Sequence, residues 1–597
     1  MTGDRAAASR RHALQIFAVL AVIVAAVAGA VSVVMLGVLR SDEGFQRFVK
    51  AVVAQYSPDG LLSPAGLAII QRAAAIVVWT SGLLMIGASM AALLLRHLLR
   101  SPDVQDVEGR EGAPQEEAWW HPKVTAGLAV GLLVVGAAIR APRLFTSLFY
   151  DEIFSIQHFA ALPWYQIPLV QEGFNNHPLN SLWLWAISHV SSAEAMLRLP
   201  AYLAGVGSLW LLFQVGRHLG GPLAGLLSLW LAALSSYHLW YSTLARGYMP
   251  GLFLVLLGLV VFLRAGAPPS RRARWLFGLA SVLASWAVPT AALVPLLLAG
   301  WLLLGAVPGC RRWLGIIDPC SPTGLAWLLT TLWVLVIVGV TTLPMAPMLI
   351  RLKAESPRLL GVSWSGVANW LGVFDHGPLL ATAGLGLVAL GLAALLRRTQ
   401  ALGDWRRRWL VGLFTVSLLL AFGGTAPART HVIAFGGVLV LAALGVQWLL
   451  RLMASMVPAD VRPWVRGVVP IAVLVAVMMT SWGEVVQASR GIPRQDVRGA
   501  VQVAESVLPD QGVIVTSGFA EREIAYYATR PVRWLSPTAD PATWLASKQP
   551  FCYFRLFAEA GGDLVFNAFD DAGLARALRR DADPLPHRAG PAPEPDP

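Results

Sequence analysis

Two adjacent carboxylates stand in an otherwise apolar and aromatic stretch of the chain. Asp151 and Glu152 lie within LFYDEIFSIQHFA, residues 148–160. A carboxylate in a partly dry cleft can accept a proton from a hydroxyl group as a new bond forms. Because adjacent helical residues point about 100° apart, the two cannot both face one reacting atom. We predict that Asp151 is a general base toward an acceptor hydroxyl and that Glu152 supports it; the alternative is that both only cap an interfacial helix.

Cationic side chains near these acids and in later segments are candidates for binding a phosphate. His177 lies in QEGFNNHPLN, residues 171–180, and Arg246 lies in YSTLARGY, residues 241–248. Arginine offers several N–H donors to a phosphate oxygen, but it can also extend its apolar stem to reach the membrane interface. A lone histidine is more often a structural residue, so both interpretations stay open for each residue. Further basic candidates are Arg140, Arg143 and Arg429.

The elements that position these residues are predicted to be membrane helices. The chain has 597 residues, of which 56% are apolar and only 13% are charged, and its mean hydropathy is +0.61. Apolar runs such as 13–39, 67–95 and 324–350 exceed the ~20 residues needed to cross a bilayer. Backbone amides must be paired in lipid, and these runs lack the alternation of barrel strands, so they are predicted to be helices. The first run is too long for a signal peptide. We predict an all-α polytopic membrane protein with about 13 transmembrane helices.

Basic residues indicate the orientation of these helices. The net charge of +12 comes from arginine clusters between apolar segments, such as 271–274 and 406–408, and not from one polar domain. This distribution follows the positive-inside rule if the amino terminus is cytoplasmic. It also requires that the short stretch 179–190 does not cross. The odd number of crossings then places the carboxy-terminal region outside the cytoplasm.

These assignments divide the chain into four parts. Residues 1–100 form two amino-terminal transmembrane helices, and residues 101–123 form a cytoplasmic linker. Residues 124–482 form the membrane core, in which a long outer loop, 142–198, carries the two acids on amphipathic interfacial helices. Residues 483–597 are predicted to form an extracytoplasmic domain.

The carboxy-terminal region has the pattern of a small α/β domain. Val497, Val501, Ala504 and Val507 are spaced as on one face of a helix, and the strand-like run 513–515 follows. The last dozen residues are rich in proline and acid and are predicted to be disordered.

The order and spacing of these motifs resemble those of the GT-C integral-membrane glycosyltransferases. The resemblance is to the bacterial branch related to protein O-mannosyltransferases and to the lipid A aminoarabinose and lipopolysaccharide galacturonosyl transferases. That family has Asp-Glu after its first core helix, a His-Pro-Pro-Leu-like element, an Arg-x-Pro helix start, and Tyr-Ser-x-x-x-Arg-x-Tyr. The corresponding segments here are residues 151–152, 177–179, 198–200 and 241–248. The resemblance covers residues 124–264 well and later helices loosely, through Arg429.

The resemblance implies a GT-C fold and a sugar donor carried on a polyprenyl phosphate. The sugar would be transferred with inversion, at the outer face of the bacterial plasma (inner) membrane, to an envelope glycolipid, polysaccharide or protein. No nucleotide sugar is used directly, and the leaving phosphate needs cationic donors. The implied catalytic residues are Asp151 and Glu152. The implied substrate-binding residues are Arg140, Arg143, His177, Arg198, Arg246, Tyr248 and Arg429.

Two departures from the family pattern affect the metal assignment and the loop. Leu179 follows Pro178 directly, so the second proline is missing. Asn176 stands where related aminoarabinose transferases carry an acid, so a metal shared by two loop acids is not expected, although a divalent metal stays an open alternative. The second candidate function is a lipid-linked sugar flippase or polysaccharide transporter, and a third is an inactive assembly scaffold. Charges at helix ends, not at the bilayer midplane, favour surface chemistry over transport.

Overall fold

The computed structural model describes residues 122–168, 170, 176–342, 386–396, 404–423, 431–456, 482–491, 497–508, 512–517, 521–535, 551–555 and 565–567. The two predicted amino-terminal helices, nearly all of the predicted linker, Arg429 and the predicted disordered tail lie outside these residues.

Helices make up most of the described chain. They are α1 (Pro122–Arg140), α2 (Tyr150–Phe154), α3 (Pro178–Ser188), α4 (Glu194–Gly220), α5 (Pro222–Leu234), α6 (Ser236–Tyr241), α7 (Tyr248–Arg264), α8 (Arg271–Ala287), α9 (Leu293–Leu304), α10 (Pro308–Leu314), α11 (Pro322–Thr342), α12 (Gly386–Leu396), α13 (Trp405–Gly423), α14 (Val432–Met456), α15 (Trp482–Ser489), α16 (Val497–Val507) and α17 (Glu521–Tyr527). A 3-10 turn, Ala141–Phe145, extends α1, a π-helical turn, Ser155–Phe159, extends α2, and a 3-10 turn, Pro289–Ala292, precedes α9.

Four described helices are long and apolar enough to cross a membrane. They span Lys123–Phe145, Glu194–Gly220, Pro322–Thr341 and Val432–Arg451. Shorter apolar helices cover Pro222–Leu234, Tyr248–Arg264, Pro289–Leu304 and Gly386–Leu396. The chain is therefore a membrane protein, while the count of about 13 spans and the orientation of the termini stay predictions.

The helix after the acid-bearing loop begins earlier than the sequence suggests. We expected a span from about residue 199, but α4 begins at Glu194 and contains Pro200. Proline lacks the N–H that would bond the carbonyl four residues earlier. The carbonyl at that position, on Met196, instead accepts a hydrogen bond from the indole of Trp183 at 3.4 Å. The indole thus partly replaces the missing backbone donor.

Most of the short stretch 179–190, which was predicted not to cross, lies in α3. Helix α3 has 11 residues and so extends about 16 Å at 1.5 Å per residue. This length is about half of the ~30 Å hydrocarbon core, so α3 is too short to cross.

Helices α4, α5 and α7 pack around the main hydrophobic core. Gly221 joins α4 to α5 with a φ of 90°, a backbone conformation that favours glycine. At Gly205 on α4, an added Cβ would lie 2.3 Å from the Cβ of Ser242. Only glycine therefore allows the end of α6 to approach α4 this closely.

An arginine cluster lies at the opposite end of the bundle from Ser242 and bonds the ends of two helices. Arg406 donates to the carbonyl of Ala265 at 2.7 Å, just after α7, and Arg407 donates to the carbonyl of His218 in the last turn of α4. Positive charges stabilise the carboxyl ends of the helices that these arginines contact. They destabilise the amino-terminal end of α13, the helix that carries both arginines. Asp404 offsets this by accepting the backbone N–H of Arg406 at 3.0 Å and pairing with Arg407 at 3.1 Å.

The C-terminal segment, by which we mean the described residues from 497 to 567, combines helices with a sheet. Its strands are β1 (Val513–Ser517), β2 (Val532–Leu535), β3 (Phe551–Arg555) and β4 (Val565–Asn567), in the order β2-β1-β3-β4. Strand β1 is parallel to β2 and β3, whereas β3 and β4 are antiparallel. The predicted helix face is buried at Val497, Val501 and Ala504, and the predicted strand at 513–515 lies in β1.

Candidate active site

The Glu152 carboxylate is fully buried and accepts four hydrogen bonds. Arg198 donates from Nε to Oε1 at 2.8 Å and from Nη2 to Oε2 at 2.6 Å. The backbone N–H of Phe149 donates to Oε2 at 2.7 Å, and that of Ala245 donates to Oε1 at 2.6 Å. The first backbone bond caps α2, and the others tie α2 to α4 and to the segment before α7. Glu152 therefore caps α2, as the capping alternative describes for this residue, and its supporting role toward Asp151 stays a prediction.

Arg198 was predicted to bind substrate, but its guanidinium is used inside the protein. Its side chain is 2% exposed. Besides Glu152, it donates to the carbonyls of Arg143 at 3.0 Å, Thr146 at 2.7 Å and Ser147 at 2.8 Å. Each N–H group of the guanidinium thus has an acceptor. Arg198 therefore holds the loop through these bonds, and its predicted role in substrate binding stays a prediction.

The structure brings two predicted site residues together, Asp151 and Arg246. The Asp151 side chain is half-buried, in contrast to its buried neighbour Glu152. The Asp151 carbonyl accepts hydrogen bonds from Nη1 of Arg246 at 3.2 Å and from the hydroxyl of Ser155 at 2.8 Å. Arg246 also donates to Ser155 at 2.5 Å and is 1% exposed. The candidate phosphate-binding cation, Arg246, therefore bonds the helical turn that carries the candidate base, Asp151.

His177 and Tyr248 extend this cluster. Nδ1 of His177 lies 2.6 Å from the carbonyl oxygen of Ala287, and because a carbonyl only accepts, Nδ1 carries the proton. The ring of His177 meets that of Tyr248 edge to face at 4.6 Å, and the guanidinium of Arg246 lies 5.8 Å from the Tyr248 ring. An added Cβ at Gly247 would lie 2.4 Å from the Ala287 oxygen. Gly247 therefore permits this close packing.

Arg143 lies beside an aromatic side chain at the base of the loop. Its guanidinium is 4.9 Å from the ring centroid of Trp240, a distance typical of a cation–π contact. Trp240 also meets Phe149 edge to face at 5.5 Å. Arg143 is thus held close to the turn that precedes Asp151.

Arg140, which was also predicted to bind substrate, joins helices in the structure. It donates to the hydroxyl of Ser242 at 2.9 Å and to the carbonyl of Ala232 at 3.2 Å. Its Nη2 lies 3.0 Å from Nδ1 of His238, which must be the acceptor because arginine only donates. Nε2 of His238 then carries a proton and faces the Ser208 hydroxyl at 2.8 Å. Arg140 is fully buried in this network, which connects α1, α4, α5 and α6.

Asn176 fixes the end of the loop through all of its polar atoms. Its amide nitrogen donates to the carbonyls of Ile167 at 2.7 Å and Val170 at 2.6 Å, and its oxygen accepts from Ser181 at 2.7 Å. Among the described residues, no three His, Cys, Asp or Glu side chains are grouped to hold a metal ion. Asn176 thus has a structural role at the end of the loop.

Several residues that build the site were not among those predicted. Ser155 and Trp240 contact predicted site residues, and Asn180 donates to the carbonyl of Ala245 at 2.8 Å. Ser155 lies one turn after Asp151, which is a weak local signal. The contacts of Trp240 and Asn180 join segments that are distant in sequence, and nothing in their local patterns indicates them.

Comparison with known proteins gives matches to solved structures only. No protein-family model and no curated protein sequence matches the chain. The chain is similar in structure to GT-C glycosyltransferases. The matches include the oligosaccharyltransferase AglB from Archaeoglobus fulgidus, with 12% identity and a TM-score of 0.44 over 69% of this chain and 64% of AglB.

Two further matches are ArnT from Cupriavidus metallidurans and the arabinosyltransferase EmbB from Mycobacterium smegmatis. ArnT matches with 15% identity and a TM-score of 0.45 over 72% of this chain and 93% of ArnT. EmbB matches with 17% identity and a TM-score of 0.36 over 70% of this chain and 45% of EmbB. The chain thus spans less than two thirds of AglB and of EmbB.

Proposed function

We propose that the chain is a membrane glycosyltransferase. It transfers a sugar from a polyprenyl-phosphate donor to an envelope glycolipid, polysaccharide or protein. The reaction takes place at the outer face of a bacterial plasma membrane and inverts the anomeric carbon.

In the proposed reaction, the hydroxyl oxygen of the acceptor attacks the anomeric carbon of the donor sugar. The new C–O bond forms on the face opposite the phosphate, and the old bond to the phosphate oxygen breaks. The hydroxyl proton passes to the Asp151 carboxylate. The bonding electron pair leaves with the polyprenyl phosphate, whose growing negative charge needs preorganised cationic donors.

The observation that carries this proposal is the difference between the two adjacent carboxylates. Glu152 is buried and accepts four hydrogen bonds, whereas Asp151 is half-buried and its carbonyl is bonded by Arg246. The Glu152 carboxylate therefore holds the helix, whereas Asp151 is half-buried and its backbone carbonyl accepts a bond from the Arg246 guanidinium. This is the division of roles that a base next to a phosphate-binding group requires.

The phosphate is proposed to bind at Arg246, with His177, Tyr248 and Arg143 around it. With Nδ1 protonated, neutral His177 offers Nε2 as an acceptor, and the protonated ring offers a second donor. Arg429, which lies outside the described residues, stays a predicted partner. Burial of Arg246 and Arg143 strengthens the attraction of their charges for an anion, because the local dielectric constant is lower than in water.

The test is to measure envelope glycans in a strain that lacks the gene and is complemented with variants. We expect mass spectrometry to show a missing sugar on one acceptor and accumulated polyprenyl-phosphate sugar, both corrected by the wild type. Asp151→Asn should be inserted but should not restore transfer. Asp318→Asn, which removes a half-buried carboxylate paired with Arg311 at 2.7 Å, serves as the matched control and should restore transfer. Full restoration by Asp151→Asn would remove the enzyme assignment.

The proposed outer location has a separate test. Trp164 is 58% exposed and lies on the loop that follows α2. In a background whose three native cysteines are replaced by serine, Trp164→Cys should react with a membrane-impermeant maleimide in intact cells. Labelling that requires permeabilised cells would place the loop in the cytosol and would contradict the proposal.

A further inference from the structure

The C-terminal segment contacts the peptide that leads into α2. The hydroxyl oxygen of Tyr527, at the end of α17, accepts the backbone N–H of Leu148 at 2.6 Å. Leu148 is fully buried, and the ring of Tyr527 packs on the cluster formed by Leu148, Ile153 and Leu197. This contact joins residues that are 379 positions apart in the sequence.

A second contact from the same segment holds the peptide three residues earlier. Arg498, in the first turn of α16, donates from Nη2 to the carbonyl of Phe145 at 3.0 Å. Its Nη1 pairs with Glu194 at 2.6 Å, and the Tyr527 hydroxyl lies 3.5 Å from the same carboxylate oxygen. Glu194 begins α4. The two contacts therefore form one network that is anchored on the helix that also carries Arg198.

Together these bonds engage a backbone group of every residue from 145 to 149. Arg498 bonds the carbonyl of residue 145, Arg198 those of residues 146 and 147, Tyr527 the N–H of residue 148, and Glu152 the N–H of residue 149. Arg498 and Tyr527 of the C-terminal segment thus bond residues 145 and 148, the two residues that Arg198 and Glu152 do not bond. The next turn carries Asp151.

We propose that Tyr527 and Arg498 are positioning residues for the transfer reaction. By fixing residues 145–149 they set the direction of α2 and so the place of the Asp151 carboxylate. This inference rests on the proposed function of Asp151. Burial raises the pKa of the Tyr527 phenol above its ordinary value, so the hydroxyl keeps its proton and can donate to Glu194 while it accepts from Leu148.

Tyr527→Phe tests the inference because it keeps the packed ring and removes only the hydroxyl. A displacement of about 1 Å at a reacting group can cost on the order of 100-fold in rate. We expect kcat to fall about tenfold, because the Asp151 carboxylate is misplaced and not removed. The KM for the donor should stay within about twofold of the wild-type value. The assay uses the full-length chain in liposomes with a panel of radiolabelled undecaprenyl-phosphate sugars and an envelope extract as acceptor.

Hydrogen–deuterium exchange gives a readout of the same link without substrate. The Tyr527→Phe variant should show faster exchange in the peptide that contains Leu148 and Phe149, since one amide loses its acceptor. Tyr526→Phe is the matched control, because its hydroxyl makes no hydrogen bond to any residue that the structure describes. It should match the wild type in both exchange and kcat.

Arg498 supplies an independent variant series. Arg498→Lys keeps a cation for Glu194 but loses the fork that also reaches the Phe145 carbonyl. We expect kcat to decrease in the order wild type, Arg498→Lys, Arg498→Ala, with similar amounts of inserted protein.

The outcomes separate the two levels of the proposal. A fully active Tyr527→Phe, with or without faster exchange, would overturn the positioning role but leave the role of Asp151 intact. A reduced kcat with unchanged exchange at Leu148 would overturn the route through the loop. If the wild-type protein transfers no sugar in this panel and its gene corrects no glycan defect in cells, the positioning role and the role of Asp151 are both overturned.

Discussion

Glu152 and Arg198 form a bidentate ion pair in which both side chains are almost fully buried. Their exposed fractions are 0% and 2%, and the shortest N–O distance is 2.6 Å. Removing two charges from water is costly, and a buried pair recovers that cost only when its other polar atoms are bonded. Here the carboxylate also bonds two backbone N–H groups and the guanidinium bonds three carbonyls, so the pair fixes the loop to α4.

Removing the charge of Glu152 should therefore affect folding before chemistry. Glu152→Gln leaves a buried guanidinium without its counter-charge, and breaking such a pair costs about 3–5 kcal/mol. We expect a lower melting temperature in detergent and less inserted protein, whereas Asp151→Asn should melt close to the wild type. Melting can be followed through tryptophan fluorescence. Equal melting temperatures for the two variants would mean that Glu152 is not the anchor described above.

The motifs could be found in the sequence, but their partners could not. Asp151, Glu152 and Arg246 are conspicuous because they are charged in apolar surroundings, and the spans around them follow from hydropathy. The pairing of Glu152 with Arg198 joins positions 46 residues apart, and its bond to the N–H of Ala245 joins positions 93 apart. Such contacts depend on how helices pack, which local patterns do not specify.

The same limit applies to the surroundings of Arg140 and Arg198. Arg140 lies near the acids in the sequence and Arg198 begins the Arg-x-Pro element, so a substrate-binding role was expected for both. The choice between binding a ligand and holding helices depends on whether acceptors surround the guanidinium. For both residues, carbonyl and hydroxyl groups from distant segments surround it.

Arg246→Lys should impair transfer without unfolding the protein. Lysine keeps the charge but cannot bond Ser155, the Asp151 carbonyl and a phosphate through one planar fork. We expect kcat/KM for the donor to fall on the order of 100-fold, a loss of about 2.7 kcal/mol in transition-state stabilisation. Ser155→Ala, which removes only one of the internal bonds of Arg246, should have a smaller effect. A Lys variant with wild-type kcat/KM would exclude Arg246 as the phosphate-binding residue.

Two substitutions distinguish a structural from a functional role for His177. The amide nitrogen of asparagine can take the place of Nδ1 and keep the bond to the Ala287 carbonyl, but it leaves Nε2 without a counterpart. We expect His177→Asn to melt like the wild type and to lose transfer by about 10–100-fold, which corresponds to the ~1.5–3 kcal/mol of a hydrogen bond to a charged group. If His177→Asn transfers normally, the histidine is structural. His177→Ala should both melt earlier and lose transfer.

Gly247→Ala tests whether the close contact between the start of α7 and His177 matters. The added Cβ would lie 2.4 Å from the Ala287 oxygen and 2.8 Å from the Cβ and Cγ of His177. Overpacking of this kind costs about 1–3 kcal/mol, and here it would also displace His177 and Tyr248 from Arg246. Gly300→Ala is the matched control, because an added Cβ there meets no atom within 4 Å. Since alanine is the better helix former by about 1 kcal/mol, Gly300→Ala should be neutral or stabilising. We expect Gly247→Ala alone to lower both melting temperature and transfer, and equal behaviour of the two variants would show that the contact at Gly247 can relax without cost.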